Sequence, residues 1–315
     1  MYAIQAENID KKYKNGVQAL NNFNLSVKTG EIFSLLGQNG AGKSTLIRIL
    51  TTYLKPTSGT ITMLGKDIIR ETATIRSEIA CVAQQTSIDM YLSLVENMMF
   101  QSQLYRIPKA EAKKRMEILI SDFGLKEYIE YPVSSYSGGV KRRLDIALNM
   151  MSKPKVLFLD EPTVGMDIQS RMTMWKMMRK IRDDFGTTIF LTTHYLEEAD
   201  SLSDTICIMK DGKEVIQGTP FELRTYIKHD TLQIKFITHA EAKKYITTIT
   251  EFCSLKEVRL QNDTIIINTK DSHADLKKVN CFLIENHISY NGIQIVQPTL
   301  EDVFLRLTAK DEGGM

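Results

Sequence analysis

Nine residues carry the densest chemistry in the chain: Gly37, Gln38, Asn39, Gly40, Ala41, Gly42, Lys43, Ser44 and Thr45. Their spacing is G-x-x-x-x-G-K-[S/T]. An apolar run, Ile32 to Leu36, precedes them and an amphipathic one, Leu46 to Leu54, follows. Strand, glycine-rich loop and helix is the context in which this motif is meaningful. Glycines let the backbone curl with its N–H groups inward, and those donors plus the positive end of the helix cradle a chain of phosphates. Lys43 would reach the outer phosphates as a point charge, and the Ser44 hydroxyl would hold Mg²⁺.

Two further stretches fit a phosphate site. Val156 to Glu161 reads VLFLDE, a buried parallel strand that ends in two acids at the sheet edge where ligands sit in such folds. Asp160 would hold the metal, directly or through water. Glu161 would orient or deprotonate an attacking water. Ser137, Gly138 and Gly139 open a helix and offer free N–H donors, a hydroxyl and a helix dipole. Taken alone they read equally as an anion site or as a plain N-cap.

The elements that must hold these residues alternate in character. Ile4 to Ile9 and Phe23 to Val27 read as strands, with Tyr13 just before the Asn15-Gly16 turn. Thr60 to Leu64 and Ile79 to Ala83 read as further strands. Leu94 to Tyr105 and Ala110 to Phe123 read as helices of an all-helical insertion, followed by a helix near Gly139 to Met151. Ile168 to Asp183 reads as a helix whose apolar face, Ile168, Met172, Trp175 and Ile181, is expected in the core. Thr188 to Thr192 reads as a buried strand, Leu196 to Leu202 as a helix, and Thr205 to Met209 as a hairpin with Glu214 to Ile216. After Pro220 the pattern changes. Strands at Leu232 to Ile237, Lys256 to Leu260, Thr264 to Asn268 and Ile293 to Val296 interleave with helices at Ala240 to Phe252 and Ala274 to Glu285. This βαββαβ order suggests a small ferredoxin-like α+β domain, closed by a helix from Leu300 to Leu307.

Bulk properties set limits. The 315 residues suffice for one large or two moderate domains, and 43% hydrophobic with 25% charged residues is ordinary for a soluble globular protein. A net charge of +2 argues against nucleic acid or acidic membrane as main partners. No apolar run approaches a bilayer span, and the N-terminus lacks the apolar core of a signal peptide. Cys81, Cys207, Cys253 and Cys281 lie far apart and are expected to be reduced and mostly buried.

Together these motifs resemble the ATP-binding subunit of an ABC transporter, over roughly residues 1 to 220. The resemblance assigns Gly37 to Thr45 to the Walker A loop and Val156 to Glu161 to Walker B with its catalytic glutamate. It assigns Ser137 to Gly139 to the signature sequence, which in this family faces the ATP bound by a partner subunit. It implies that Tyr13 stacks on adenine. Gln84, with Gln85 the neighbouring alternative, would be the Q-loop glutamine that touches Mg²⁺ and water. Val164 to Asp167 would be the D-loop, and His194 the switch histidine at the γ-phosphate. The signature usually reads LSGGQ; here Tyr136 and Val140 replace the leucine and the glutamine.

YSGGVKRRLDIA, LTTHYLEEADSLSD and PTLEDVFLRLT look like the daunorubicin/doxorubicin-resistance type of exporter ATPase. The implied fold class is α/β: an ABC-type P-loop ATPase domain, 1–220, with an antiparallel β subdomain and a helical subdomain at about 85–150, plus a C-terminal α+β accessory domain, 221–315. The implied activity is Mg²⁺-dependent ATP hydrolysis that powers export of an antibiotic, drug, peptide or lipid. Implied partners are a polytopic membrane permease and a second ATPase chain, identical or not, at the cytoplasmic face of the membrane, with no nucleic acid. Met98, Met99 and Phe100 are candidates for the permease contact, with a core role as the alternative. Two other readings are a soluble ABC-type ATPase uncoupled from transport and an importer ATPase with a regulatory C-terminal domain.

Overall fold

The structure, a computed structural model, describes residues 1–226, 230–252, 257–269 and 271–308. The chain divides into two compact units, Met1–Pro220 and Phe221–Met315.

The first unit begins with β1 (Tyr2–Lys12), β2 (Gln18–Lys28) and β3 (Ile32–Leu36), which leads into α1 (Lys43–Leu50). Then come β4 (Ser58–Met63), β5 (Lys66–Asp67), α2 (Thr72–Glu78) and β6 (Ile79–Val82). Three helices follow, α3 (Leu94–Leu104), α4 (Lys109–Asp122) and α5 (Gly138–Met150), before β7 (Val156–Asp160). The unit ends with α6 (Ile168–Phe185), β8 (Thr188–Thr193), α7 (Leu196–Leu202), β9 (Thr205–Lys210) and β10 (Lys213–Gly218).

Two sheets result. One is antiparallel, in the order β2-β1-β4-β5; the other runs β10-β9-β3-β8-β7-β6 and is parallel apart from the β9–β10 hairpin. Every residue of β3 is buried, as are Val156 to Leu159 of β7. That is why both strands read as apolar runs, broken in β3 only by Ser34, whose hydroxyl bonds to that of Ser203: a parallel strand is covered on both faces. The helical insertion packs Leu94, Met98, Leu119, Phe123 and Leu144 into one core. Its first helix starts on a capping box, with Glu96 N donating to Ser93 Oγ and Ser93 N donating to Glu96.

The second unit holds α8 (Pro220–Thr225), β11 (Asp230–Lys235), α9 (His239–Phe252), β12 (Glu257–Gln261) and β13 (Thr264–Thr269). It ends with α10 (Ser272–Glu285), β14 (Gly292–Val296) and α11 (Leu300–Thr308). The sheet order β12-β13-β11-β14, antiparallel throughout, is the expected ferredoxin-like arrangement. Leu232, Ile234, Ile265, Ile267 and Leu283 form its core.

Several expectations need correction. Helix α2 has no apolar stripe beyond Ile75, its single buried residue, and pattern reading passes over it. In α6, Trp175 and Ile181 are buried, but Ile168 is 68% and Met172 46% exposed; the core stripe is Met174, Trp175, Met177, Met178 and Ile181. The first turn of that helix extends beyond the core. Met98 is fully buried and Met99 partly so, whereas Phe100 is 54% exposed. Among the described cysteines Cys207 is buried and Cys81 and Cys281 are exposed. Cys253 and Lys256, the start of an expected strand, lie outside the described residues.

Candidate functional site

The phosphate loop is shaped by what surrounds it. Gly42 takes φ 111°, and a Cβ there would stand 2.6 Å from the Ala19 carbonyl oxygen. A Cβ at Gly37 would stand 2.7 Å from the Met209 carbonyl oxygen. Only glycine fits either position. α1 then begins at Lys43, three residues earlier than the apolar pattern suggests, because Gly42 serves as its N-cap. Lys43 is 6% exposed; its ammonium donates to the carbonyls of Gly37 (2.7 Å) and Gln38 (3.2 Å) and lies 3.9 Å from Glu161 Oε1. Burial pushes its pKa down, opposed by the charges of Glu161 and Asp160. Ala41 is buried, while Gln38, Asn39, Gly40 and Ser44 are exposed and open to a ligand. The hydroxyls of Tyr13 and Thr45 are 3.2 Å apart, which brings that aromatic ring to the loop.

The acids arrive at the end of β7, which β8 separates from β3. β7 pairs in parallel with β8, so Asp160 stands beside Thr192. The Thr192 hydroxyl donates to Asp160 Oδ1 (2.6 Å). Glu161 follows in a left-handed backbone conformation, φ 45°, a strained state that a non-glycine residue holds only when its surroundings fix it. Its Oε1 is 3.3 Å from His194 Nδ1, and the His194 ring packs on Tyr195. Lys43, Asp160, Glu161 and His194 therefore converge at the carboxyl edge of β3, β7 and β8.

Ser137, Gly138 and Gly139 do not reach the glycine-rich loop. With Gln84, Gly165 and Glu161, the one member of that cluster they share, they line a pocket of about 330 Å³, none of whose walls comes from residues 37–45. Gln84 is exposed there, as is Gln85. Ser137 caps α5, its hydroxyl accepting from Val140 N at 3.4 Å. A Cβ on Gly138 would meet nothing within 4 Å, so its backbone is open to an approaching group. The two departures from LSGGQ face inward. Tyr136 is 5% and Val140 4% exposed, both in the helical core, and the Tyr136 hydroxyl donates to the Tyr128 carbonyl.

Sequence reading missed two buried polar centres. Arg142 on α5 donates to the carbonyls of Ala83 and of Asp160 (2.9 Å) and pairs with Asp145 at 3.7 Å. Asp145 in turn accepts from the Ser87 hydroxyl at 2.7 Å. One guanidinium thus ties α5 to the strand end of Asp160 and to the segment before Gln84. Burial lowers the pKa of Arg142, against the charges of Asp145 and Asp160, and raises that of Asp145, against the Ser87 bond and the Arg142 charge. The i, i+3 spacing of Arg142 and Asp145 was the available signal. Glu198 is the second centre. It is fully buried and its Oε1 accepts from Thr163 (2.8 Å) and Trp175 (3.0 Å), which ties the segment after Glu161 to α7.

Comparison with known proteins shows the family. The family model described as ABC transporter matches residues 20–164. The chain is 35% identical over 309 residues to the daunorubicin/doxorubicin resistance ATP-binding protein of Streptomyces peucetius, covering 97% of this chain and 92% of that one. It is 32% identical over 311 residues to the Nod factor export ATP-binding protein I of Ralstonia nicotianae, covering 98% and 94%. Among solved structures it is similar to an ATP-binding cassette captured as a dimer in a post-hydrolysis state with ADP and Pi: TM-score 0.61, 27% identity, 69% of this chain and 98% of that one.

Proposed function

Since the chain belongs to the ABC transporter family, as an ATP-hydrolysing subunit that powers an exporter, we propose that two such chains burn ATP as a head-to-tail pair. Each nucleotide lies between Gly37–Thr45 of one chain and Ser137–Gly139 of the other. One observation supports this reading: Gly37–Thr45 take no part in the pocket that Ser137–Gly139 line with Glu161. Each face is half a site, and a second copy supplies the missing half.

Within each site Lys43 and the loop N–H groups bind the phosphates, and Tyr13 stacks on the base. Glu161 takes a proton from the attacking water, and His194, 3.3 Å from it, faces the γ-phosphate. Ser44, Asp160 and Gln84 offer an all-oxygen donor set, hydroxyl, carboxylate and amide, which suits Mg²⁺. Among the described residues one oxygen of Asp160 is engaged by another side chain, which leaves the other for a metal. When bound, Mg²⁺ neutralises charge on the phosphates.

No helix among the described residues is long and apolar enough to cross a membrane. The family works with membrane permeases, and we place this chain at the cytoplasmic face through such a partner, docked near Gln84 and the exposed Phe100 of α3. The relatives support a drug or antibiotic as cargo. The test uses Glu161→Gln. With ATP it should elute as a dimer, and adding Ser137→Arg should abolish the dimer while each chain still binds ATP. An ATP-loaded Glu161→Gln chain that stays monomeric overturns the paired site.

A further inference from the structure

We infer that Thr192 is a positioning residue for hydrolysis, holding both acids of the site through one hydroxyl. Its side chain is fully buried on β8, and its Cα partner across the sheet is Asp160. The hydroxyl has one proton, which goes to Asp160 Oδ1 at 2.6 Å. Its lone pair accepts from the Glu161 N–H at 3.1 Å, and the Thr192 carbonyl accepts from the same N–H at 3.2 Å. Three contacts from one residue therefore converge on two consecutive acids.

Each contact has a consequence. Held by Oδ1, the Asp160 carboxylate is fixed in rotation and leaves Oδ2 as the oxygen it can offer to a metal. Held at its N–H, Glu161 keeps the left-handed backbone at φ 45° that puts Oε1 3.3 Å from His194 and 3.9 Å from Lys43. The next residue, Thr193, accepts from the Tyr195 N–H at 3.0 Å and shapes the turn that carries His194. The end of β8 thus orients the metal ligand, the base and the histidine together. A buried threonine that merely needed a partner for its hydroxyl would not have to choose these two acids.

This inference rests on Asp160 as metal ligand and Glu161 as base. The test measures ATPase turnover and, independently, the Mg²⁺ concentration that half-saturates binding of trinitrophenyl-ATP, on the full chain. Thr192→Val and Thr192→Ala should each lower kcat by about tenfold or more and raise the Mg²⁺ requirement severalfold, as loss of an outer-shell partner does. At saturating Mg²⁺, KM for ATP should stay within about twofold, since the loop that grips the nucleotide is unaltered. Thr192→Ser, which keeps the hydroxyl, should recover most of both losses. Wild-type kcat in the Val or Ala variant overturns the assignment. So does a Ser variant as impaired as Val, because packing would then be the cause. Asp160→Asn separates the two levels: if it leaves the Mg²⁺ requirement unchanged, the metal site beneath the inference falls with it.

Discussion

The ammonium of Lys43 stands 3.9 Å from the carboxylate of Glu161 while donating to the carbonyls of Gly37 and Gln38. The same lysine thus joins the glycine-rich loop to the proposed base. In the proposed mechanism the base is not needed to bind nucleotide, because the loop N–H groups and Lys43 would do that. Glu161→Gln keeps the shape and removes the proton acceptor. Its turnover should fall about a hundredfold or more, with ATP affinity little changed. Single-turnover hydrolysis and filter binding check the two halves, and a normal rate would remove Glu161 from its role.

Arg142 and Asp145 form a buried pair on α5, 5% and 1% exposed. Removing one member strands the other charge in the interior. Arg142→Met should therefore cost about 3 kcal/mol of unfolding free energy. The double variant Arg142→Met, Asp145→Leu should recover part of that loss, since no uncompensated charge remains. Denaturant midpoints measure both. A single-variant loss below about 1 kcal/mol would show that water reaches the pair.

The candidate catalytic edge was legible because its residues are consecutive: Gly37–Thr45 sit in a strand-loop-helix context, and Asp160–Glu161 end a buried strand. The parallel strands were legible because burial on both faces leaves mostly apolar runs, with small hydroxyl residues such as Ser34 and Thr192 among them. What pattern reading could not reach were partners distant in sequence. The bonds from Thr192 to Asp160, from Arg142 to Ala83 and from Glu198 to Thr163 span 32, 59 and 35 positions, and each depends on sheet order and helix packing. Helix α2 escaped for a local reason, since one buried isoleucine makes no periodicity. The assignment of Tyr136 and Val140 to core positions also required the fold, because a substituted motif does not say which way its side chains point.

Glu78 closes α2 and accepts from Lys155 Nζ (2.7 Å) and Lys66 Nζ (2.5 Å). These two lysines, Lys155 first, hold its pKa below the usual 4.5. A carboxylate depressed in the folded state adds stability that is fully present above its unfolded pKa and disappears as pH falls through the folded one. The difference in unfolding free energy between wild type and Glu78→Gln should be constant near pH 7 and shrink once pH drops below 4.5. Because Lys155 is 62% exposed, screening limits the effect to about 1 kcal/mol or less, and high salt should reduce it further. A difference that persists undiminished at pH 3 would rule out the ion pairs as its source.

Gly40 and Gly42 both take positive φ, 84° and 111°, yet their surroundings separate them. At Gly40 a Cβ meets nothing within 4 Å, so Gly40→Ala pays only for the backbone conformation, about 1–2 kcal/mol. At Gly42 the same Cβ stands 2.6 Å from the Ala19 carbonyl and 2.7 Å from Met209, and that carbonyl belongs to β2 and cannot swing aside as a side chain would. Gly42→Ala must therefore displace the start of α1, and with it Lys43, from the end of β3. Its loss of stability should exceed that of Gly40→Ala, and its ATP affinity should fall more steeply than its unfolding midpoint. Gly40→Ala should lose stability while its loop still binds nucleotide. Equal urea midpoints and equal affinities in the two variants would mean that the loop, not the packing against β2, sets the position of Lys43.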